Sequence, residues 1–423
     1  MKTLNIKRKI IIPRAKISLK YKDIFLFLTR LFIPISQENK KKIIRNFEDK
    51  FSLDYKMPRG VVFNKARLAF YFLLKNLNLK PGGEVLISAL HVADFINIIR
   101  CAGFKPVVID IDRETYNIDF DDLEKKITED ASLIYITHIS GLATDMDKVV
   151  DIATRKNVPF IEDCSQSFSS YWKGQRLGTF GEATIFSLSL LKPVSTFFGG
   201  MVISKNEELI NKLREEEKKL ANQPRLPLIL ETIKHLVFKT ATNKFIFSLL
   251  VFPLLNLFSK PMDFFSRYQR ANKTVTLRDK LPQSFFVKFT WPQALLGIEQ
   301  LKTVHKKEAE KISNAIYVYD NLKDSKKIKK AKLLENGKNS FWSFPINTSD
   351  IIDFKKFLAR YGVDSTCYLL SVLGDEPEFA RLGFKCPQAS EVKKHVLLIP
   401  MYSSLTRKEL EYITKTINHY NLC

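Results

Sequence analysis

An acidic residue closes one apolar run and a lysine follows the next, 29 residues further along the chain. The first run reads Ile161-Glu162-Asp163-Cys164-Ser165-Gln166, and the second passes from Gly181 through Ser187 to Lys192, with Gly199-Gly200 just beyond. A pyridoxal 5'-phosphate enzyme needs such a pair. The lysine amine forms a Schiff base with the cofactor, and the carboxylate keeps the pyridine nitrogen protonated so that the ring accepts electrons. A lone aspartate at a strand end is more often a cap or an ion-pair partner, and a lone lysine a surface charge. Asp163, Gln166, Ser187 and Lys192 in register favour the chemical reading.

The elements that must hold these residues follow a regular alternation. Residues 84–87, 106–110, 133–137 and 158–161 read as strands, and the first three are continuous apolar runs. Helical spacing occupies residues 64–78, 147–156 and the stretch up to Ile99. Continuous apolar strands alternating with helices predict an α/β fold with a mostly parallel sheet covered on both faces, in three layers. Ligands in such sheets bind beyond the carboxyl ends of the strands, where Asp163, His138 and Lys192 fall. Residues 205–300 break the rhythm: a charged helix at 207–220 precedes two apolar stretches, 226–238 and 245–258, the second containing Pro253. A helix after Gln293, strands at 341–346 and 396–400, and helices at 351–361 and 407–418 predict a smaller C-terminal α/β domain. The expected division is a basic, irregular segment with an apolar patch at 1–55, a cofactor-binding domain at 56–220, a basic and apolar insertion at 221–290, and the C-terminal part at 291–423.

A chain of 423 residues with 45% hydrophobic content can bury a full core, but its formal charge of +23 is unusual. Residues 1–50 hold 14 Lys/Arg against 4 Asp/Glu, and residues 221–290 hold 11 against 3, so these two segments carry +18 of the total. Five scattered cysteines show no metal-ligand spacing and no disulfide framework, so no metal is expected and a reduced, cytoplasmic setting is the default. The N-terminal run 10–12 is too short for a secretory signal, and no run reaches the roughly 18–20 apolar residues of a spanning helix. Residues 245–258 are either a core or interface element, or an anchor in an anionic bilayer surface, flanked by Lys234, Lys239, Lys244, Lys260, Arg267 and Arg270. The charge alternates with aliphatic rather than stacking residues, which places a membrane surface, peripheral at its inner face, above nucleic acid as a partner of residues 1–50 and 221–290.

With these residues in view, the chain resembles the sugar aminotransferases named after DegT, DnrJ and StrS, a fold-type I pyridoxal phosphate family. The likeness rests on Leu79-Lys80-Pro81-Gly82-Gly83-Glu84-Val85, on Ala102-Gly103-Phe104-Lys105-Pro106-Val107 followed by Asp110-Ile111-Asp112, and on His138-Ile139-Ser140-Gly141 before Asp145-Met146-Asp147. Glu162 to Gln166, Ser187 to Lys192 and Gly199-Gly200 complete it in order. The resemblance implies that Lys192 links to the cofactor and shuttles the proton, Asp163 pairs with the pyridinium nitrogen, Gln166 bonds the ring substituents, and Ser187 binds phosphate. It also implies phosphate capture by the backbone at Ala66-Arg67, at a helix N-terminus.

Two departures stand out. Lys65-Ala66-Arg67 replaces a Ser-Gly-Thr loop, and Arg67 is expected either to bind phosphate through its own charge or to lie on a helix surface. The aromatic that stacks on the ring aligns with Val92, beside His91, so either residue could pack there. His138 is either a cofactor contact or a buried, hydrogen-bonded histidine; His235, His305, His395 and His419 are expected at the surface. The family's asparagine and arginine from a neighbouring subunit align poorly, near Phe286 and Lys288, and a homodimer rests on resemblance alone. The implied function is transfer of an amino group from an amino acid, glutamate, to a nucleotide-linked keto-sugar for surface polysaccharide or lipopolysaccharide synthesis. Related dehydratases carry histidine at the lysine position, so Lys192 argues against dehydration. The rival reading is an inactive membrane-bound scaffold. A lipid-linked acceptor stays open.

Overall fold

The computed structural model describes residues 10–257, 275–367 and 370–422. Seven strands form the main sheet: β1 (Arg59–Phe63), β2 (Glu84–Ser88), β3 (Lys105–Ile109), β4 (Ala131–Thr137), β5 (Phe160–Asp163), β6 (Thr184–Ser187) and β7 (Gly200–Ser204). Their order is β1-β7-β6-β5-β4-β2-β3. The pairs from β3 to β6 are parallel, while β7 runs against β6 and β1.

Helices cover both faces: α1 (Tyr21–Arg30), α2 (Gln37–Asp54), α3 (Ala66–Asn76), α4 (Asp94–Cys101), α5 (Met146–Lys156), α6 (Glu207–Lys218), α7 (Arg225–Ala241) and α8 (Trp291–Asn321). Side chains alternate across a strand, so Val85 and Ile87 join one core with α3, α4 and α6, and Leu86 joins another with α2, α5 and α8. These are the three layers expected from the sequence. Four further strands, β8 (Ile328–Lys330), β9 (Phe344–Thr348), β10 (Thr366–Cys367) and β11 (Val396–Ile399), form an antiparallel sheet in the order β8-β9-β11-β10. It carries α9 (Ile351–Arg360), α10 (Pro387–His395) and α11 (Arg407–Tyr420), the smaller C-terminal unit.

The reading of residues 1–55 as irregular is corrected within the described part, residues 1–9 lying outside it. Helix α2 is built into the main core: Phe47 and Phe51 are fully buried, and Phe47 packs so close to α8 that a Cβ on Gly297 would stand 2.3 Å from its ring. The segment before α1 crosses to the small unit. Ile12 bridges Val363, and Arg14 grips Asp364 with a two-pronged ion pair at 2.7 and 2.6 Å. In the insertion, α7 is followed by a helical run over 244–257, bent from it by 69°. Phe258, Lys260, Arg267 and Arg270 lie outside the described residues. No single described helix is long and apolar enough to cross a membrane.

Candidate active site

Parallel strands that end together bring the residues after them to one edge. Asp163, the last residue of β5, stands in register with Thr137 of β4 and Ile185 of β6. Its Oδ1 accepts the Ser165 N–H at 2.8 Å, and its Oδ2 lies 3.5 Å from Nε2 of His91. Burial pushes the carboxyl's pKa up, but the hydrogen bond and charge of His91 and the bonds from Ser165 outweigh it, and the net shift is downward. Asp163 is therefore a buried carboxylate that stays ionised.

Lys192 lies in the loop between β6 and β7, whose backbone turns sharply at Leu191 (φ 66°) and Phe197 (φ 70°). Its Nζ stands over the Trp342 ring, 4.1 Å from the centroid, and the indole N–H donates to the Leu191 carbonyl at 3.1 Å. Burial lowers the amine's pKa to about 8; Asp163 opposes that shift and Lys311 adds to it. An amine so poised is neutral in part near neutral pH, as a nucleophile or base requires.

Away from this pair, the N-terminus of α3 meets the first residue of β7. A Cβ on Gly200 would lie 2.3 Å from Ala66 Cα and 2.5 Å from Ala66 N, so only glycine lets the helix end approach. Gly200 in turn faces Ser187, whose hydroxyl is 2.9 Å from that of Ser189. Arg67, offered by the sequence as a phosphate ligand, is turned aside: its Nη1 holds Oδ2 of buried Asp94 at 2.5 Å, while Arg278 takes Oδ1. Lys65 stands at the helix end instead, over the Phe285 ring at 5.3 Å, with no ion pair among the described residues. Burial, then the charge of Arg67, lowers its pKa to about 8. Unbonded backbone N–H groups, two serine hydroxyls and a lysine depressed by a neighbouring cation form a place short of one anion, which fits a phosphate. The donor set fits pyridoxal 5'-phosphate at both ends. Gly200→Ala is expected to cost about 1–3 kcal/mol by overpacking, read as a lower melting temperature and weaker cofactor retention.

Beside Lys192 opens a cavity of about 330 Å³ between the main sheet and the small unit, walled by residues 14–20, Ser195, Trp342 and Tyr402. It is cationic. Lys16, Lys20, Lys239, Lys307 and Lys311 line it against the single carboxylate of Glu308, which Lys311 holds at 2.7 Å. Burial first, and neighbouring lysines second, lower the pKa of Lys16 through Lys244, of Lys239 through Lys16 and Lys307, and of Lys307 through Lys20. The buried Ser195 hydroxyl finds no hydrogen-bond partner among the described residues.

The remaining candidate residues surround this site. His138 is fully buried, with Nδ1 2.9 Å from Thr144 Oγ1 and Nε2 3.3 Å from Glu162 Oε2, so its ring serves the scaffold rather than the cavity. Gln166 gives its Oε1 to the Ser140 N–H at 2.8 Å. Of the two stacking candidates, His91 packs edge-on to Phe95 and faces Asp163, whereas Val92 is half-buried against the core. His235 is buried, not at the surface: its Nδ1 meets the Glu231 carbonyl at 2.7 Å. Phe286 packs edge-on to Tyr71 and Phe72 of its own chain. Sequence reasoning missed Lys65, Trp342 and the lysines that face inward; the excess charge of residues 1–50 and 221–290 was the one signal for Lys16, Lys20 and Lys239.

The sequence profile of the DegT/DnrJ/EryC1/StrS aminotransferase family matches residues 37–228 and 258–418. Among similar proteins, GDP-perosamine synthase of Escherichia coli O157:H7 is 32% identical over 174 residues, which is 41% of this chain and 48% of that protein. A UDP-4-amino-4,6-dideoxy-N-acetyl-beta-L-altrosamine transaminase of Campylobacter jejuni is 32% identical over 41% of this chain and 46% of its own length. The match thus spans about half the length of these curated relatives. Among solved structures, the putative sugar aminotransferase Spr1654 of Streptococcus pneumoniae, in its PMP form, superimposes with a TM-score of 0.74 at 19% identity over 97% of this chain and 99% of that one. The sugar aminotransferase CalS13 of Micromonospora echinospora gives 0.72 at 17% over 97% and 100%. At these identities the superpositions show a shared fold.

Proposed function

Because the chain belongs to the DegT/DnrJ/EryC1/StrS aminotransferase family, we propose that it transfers an amino group from glutamate to a nucleotide-linked keto-sugar, in the synthesis of a surface polysaccharide. The observation that carries this reading is the pairing of an ionised, buried Asp163 with a Lys192 amine poised at about 8, beside a cavity lined with lysines. The donor's carboxylates and the acceptor's diphosphate are anions, and the lysines of the cavity outnumber its one lining carboxylate, Glu308. The resemblance to sugar aminotransferases supports a homodimer as the working form.

Bound here, pyridoxal 5'-phosphate would supply the electron sink for bond breaking at the amino-bearing carbon. The chain does the rest. Asp163, ionised and buried, would hold a proton on the pyridine nitrogen through its charge. Ala66 and Arg67 N–H groups, Lys65 and the Ser187 hydroxyl hold the phosphate. Lys192 Nζ, neutral in part near pH 8, is the nucleophile that retains the cofactor and the base that takes and returns the substrate proton. Trp342 closes over the amine and keeps water from it.

The test is the visible spectrum of purified protein incubated with pyridoxal 5'-phosphate, before and after glutamate. A yellow band that bleaches with glutamate and returns with a keto acid is the expected result. A colourless protein that takes up no cofactor would overturn the reading in favour of a scaffold.

A further inference from the structure

Helix α7 is apolar on two sides. Leu228, Thr232, His235 and Phe238 point inward, where Leu228 and Phe238 share a small core with Ile24 and Phe27 of α1 and with Phe197 from the loop that carries Lys192. On the opposite side Leu226, Leu230, Ile233 and Val237 repeat at helical spacing and are exposed. Phe25 on α1, Phe32 just past its end, and Phe245, Leu249 and Leu254 on the 244–257 run are exposed as well. Of 19 large exposed hydrophobic side chains among the described residues, 13 lie between 21 and 33 or between 226 and 254, so the exposure is concentrated in these helices rather than scattered. A helix apolar all round is normally buried.

We propose that this outer face docks on an anionic lipid bilayer, with α1, α7 and the bent 244–257 run lying in the interfacial layer. The cationic fringe selects that occupant. Lys22, Arg225 and Lys234 are exposed on α1 and α7, where Lys234 also meets Glu231 at 2.9 Å. Anionic headgroups meet such a fringe with opposite charge. A second copy related by twofold symmetry would set the same cations against themselves. Docking also brings the active site to the membrane: Lys239 lines the cavity, and its Nζ sits over the Tyr21 ring at 4.7 Å, at the edge of the docked face. The inference goes beyond the aminotransferase reading and stands or falls apart from it.

The test is flotation of the full chain with phosphatidylcholine vesicles, with and without phosphatidylglycerol, at low and high salt. The protein is expected to float with the anionic vesicles, much less with phosphatidylcholine alone, and less at high salt. Combined Phe25→Glu, Leu230→Glu and Leu249→Glu, all at exposed positions, should cut flotation at least about tenfold, with circular dichroism and cofactor uptake unchanged. Should that variant misfold, Lys22→Glu with Lys234→Glu provides a milder one, expected to lose the preference for anionic lipid. Failure of the unmodified protein to float with anionic vesicles overturns the proposal. So does a dimer that the Glu variants dissociate, which would make a second copy the occupant.

Discussion

Lys192→Ala is expected to abolish the glutamate half reaction, with a loss of about 10²–10⁴-fold from the missing proton transfer alone. Removing the nucleophile adds to that loss, and the cofactor should then wash out on dialysis instead of remaining attached. The geometry explains why no neighbour replaces it. Lys311, the other lysine at this depth, is committed to Glu308 at 2.7 Å, and Lys16, Lys239 and Lys307 line other parts of the cavity. The pH profile carries a second readout. Burial brings the amine to about 8, so half of it is neutral near that pH and the neutral fraction levels off about one unit higher. Stopped-flow bleaching of the visible band should therefore speed up from pH 6 through 8 and flatten above about 9. Lys192→Arg retains a cation that cannot deprotonate and should be as inactive as the alanine variant, whereas loss of packing alone would leave it partly active.

How much of this site is legible in the sequence depends on how local the signal is. Asp163 and Ser187 end β5 and β6, and a parallel sheet gathers strand ends by construction, so their placement at one edge follows from the pattern of β4, β5 and β6. Helix α1 was hidden for the opposite reason. Its apolar residues fall in one unbroken run, Ile24 to Leu28, and a helix of ten residues is too short to show a period. Long-range pairing hid the rest. Trp342 reaches Lys192 from 150 residues away, and Asp94, which draws Arg67 from the phosphate site, is a buried acid that looks like an ordinary first-turn residue of α4. The charge count located the basic segments but not their direction. Lys16, Lys20 and Lys239 face the cavity, whereas Lys22, Arg225 and Lys234 face out, so one excess of charge is divided between two surfaces.

Asp163→Asn tests the other half of the pair, and a fall of roughly 10²-fold in the half reaction is expected, the equivalent of one charge-assisted hydrogen bond of up to about 3 kcal/mol. The isosteric amide keeps the contact with the Ser165 N–H but cannot hold a proton on a pyridine nitrogen by charge, so cofactor uptake should survive while turnover falls. That split separates an electronic role from a structural one: a merely structural aspartate would lose uptake and turnover together. Stability provides an independent check whose sign is fixed. The fold lowers this carboxyl's pKa, so its stabilising contribution is complete above the unfolded value of about 3.9 and disappears as pH falls through the folded one. The unmodified apoprotein should therefore lose melting temperature at acidic pH in part through Asp163, and the asparagine variant, already without that contribution at pH 7, should show a shallower acid dependence. His91 sharpens the comparison, because its Nε2 stands 3.5 Å from the carboxylate and its contact helps to keep Asp163 ionised. His91→Ala, which removes that contact, should likewise make the acid dependence of the apoprotein shallower. An unchanged acid dependence would show that the two groups are not coupled in solution, and would leave Asp163 without the partner that keeps it charged.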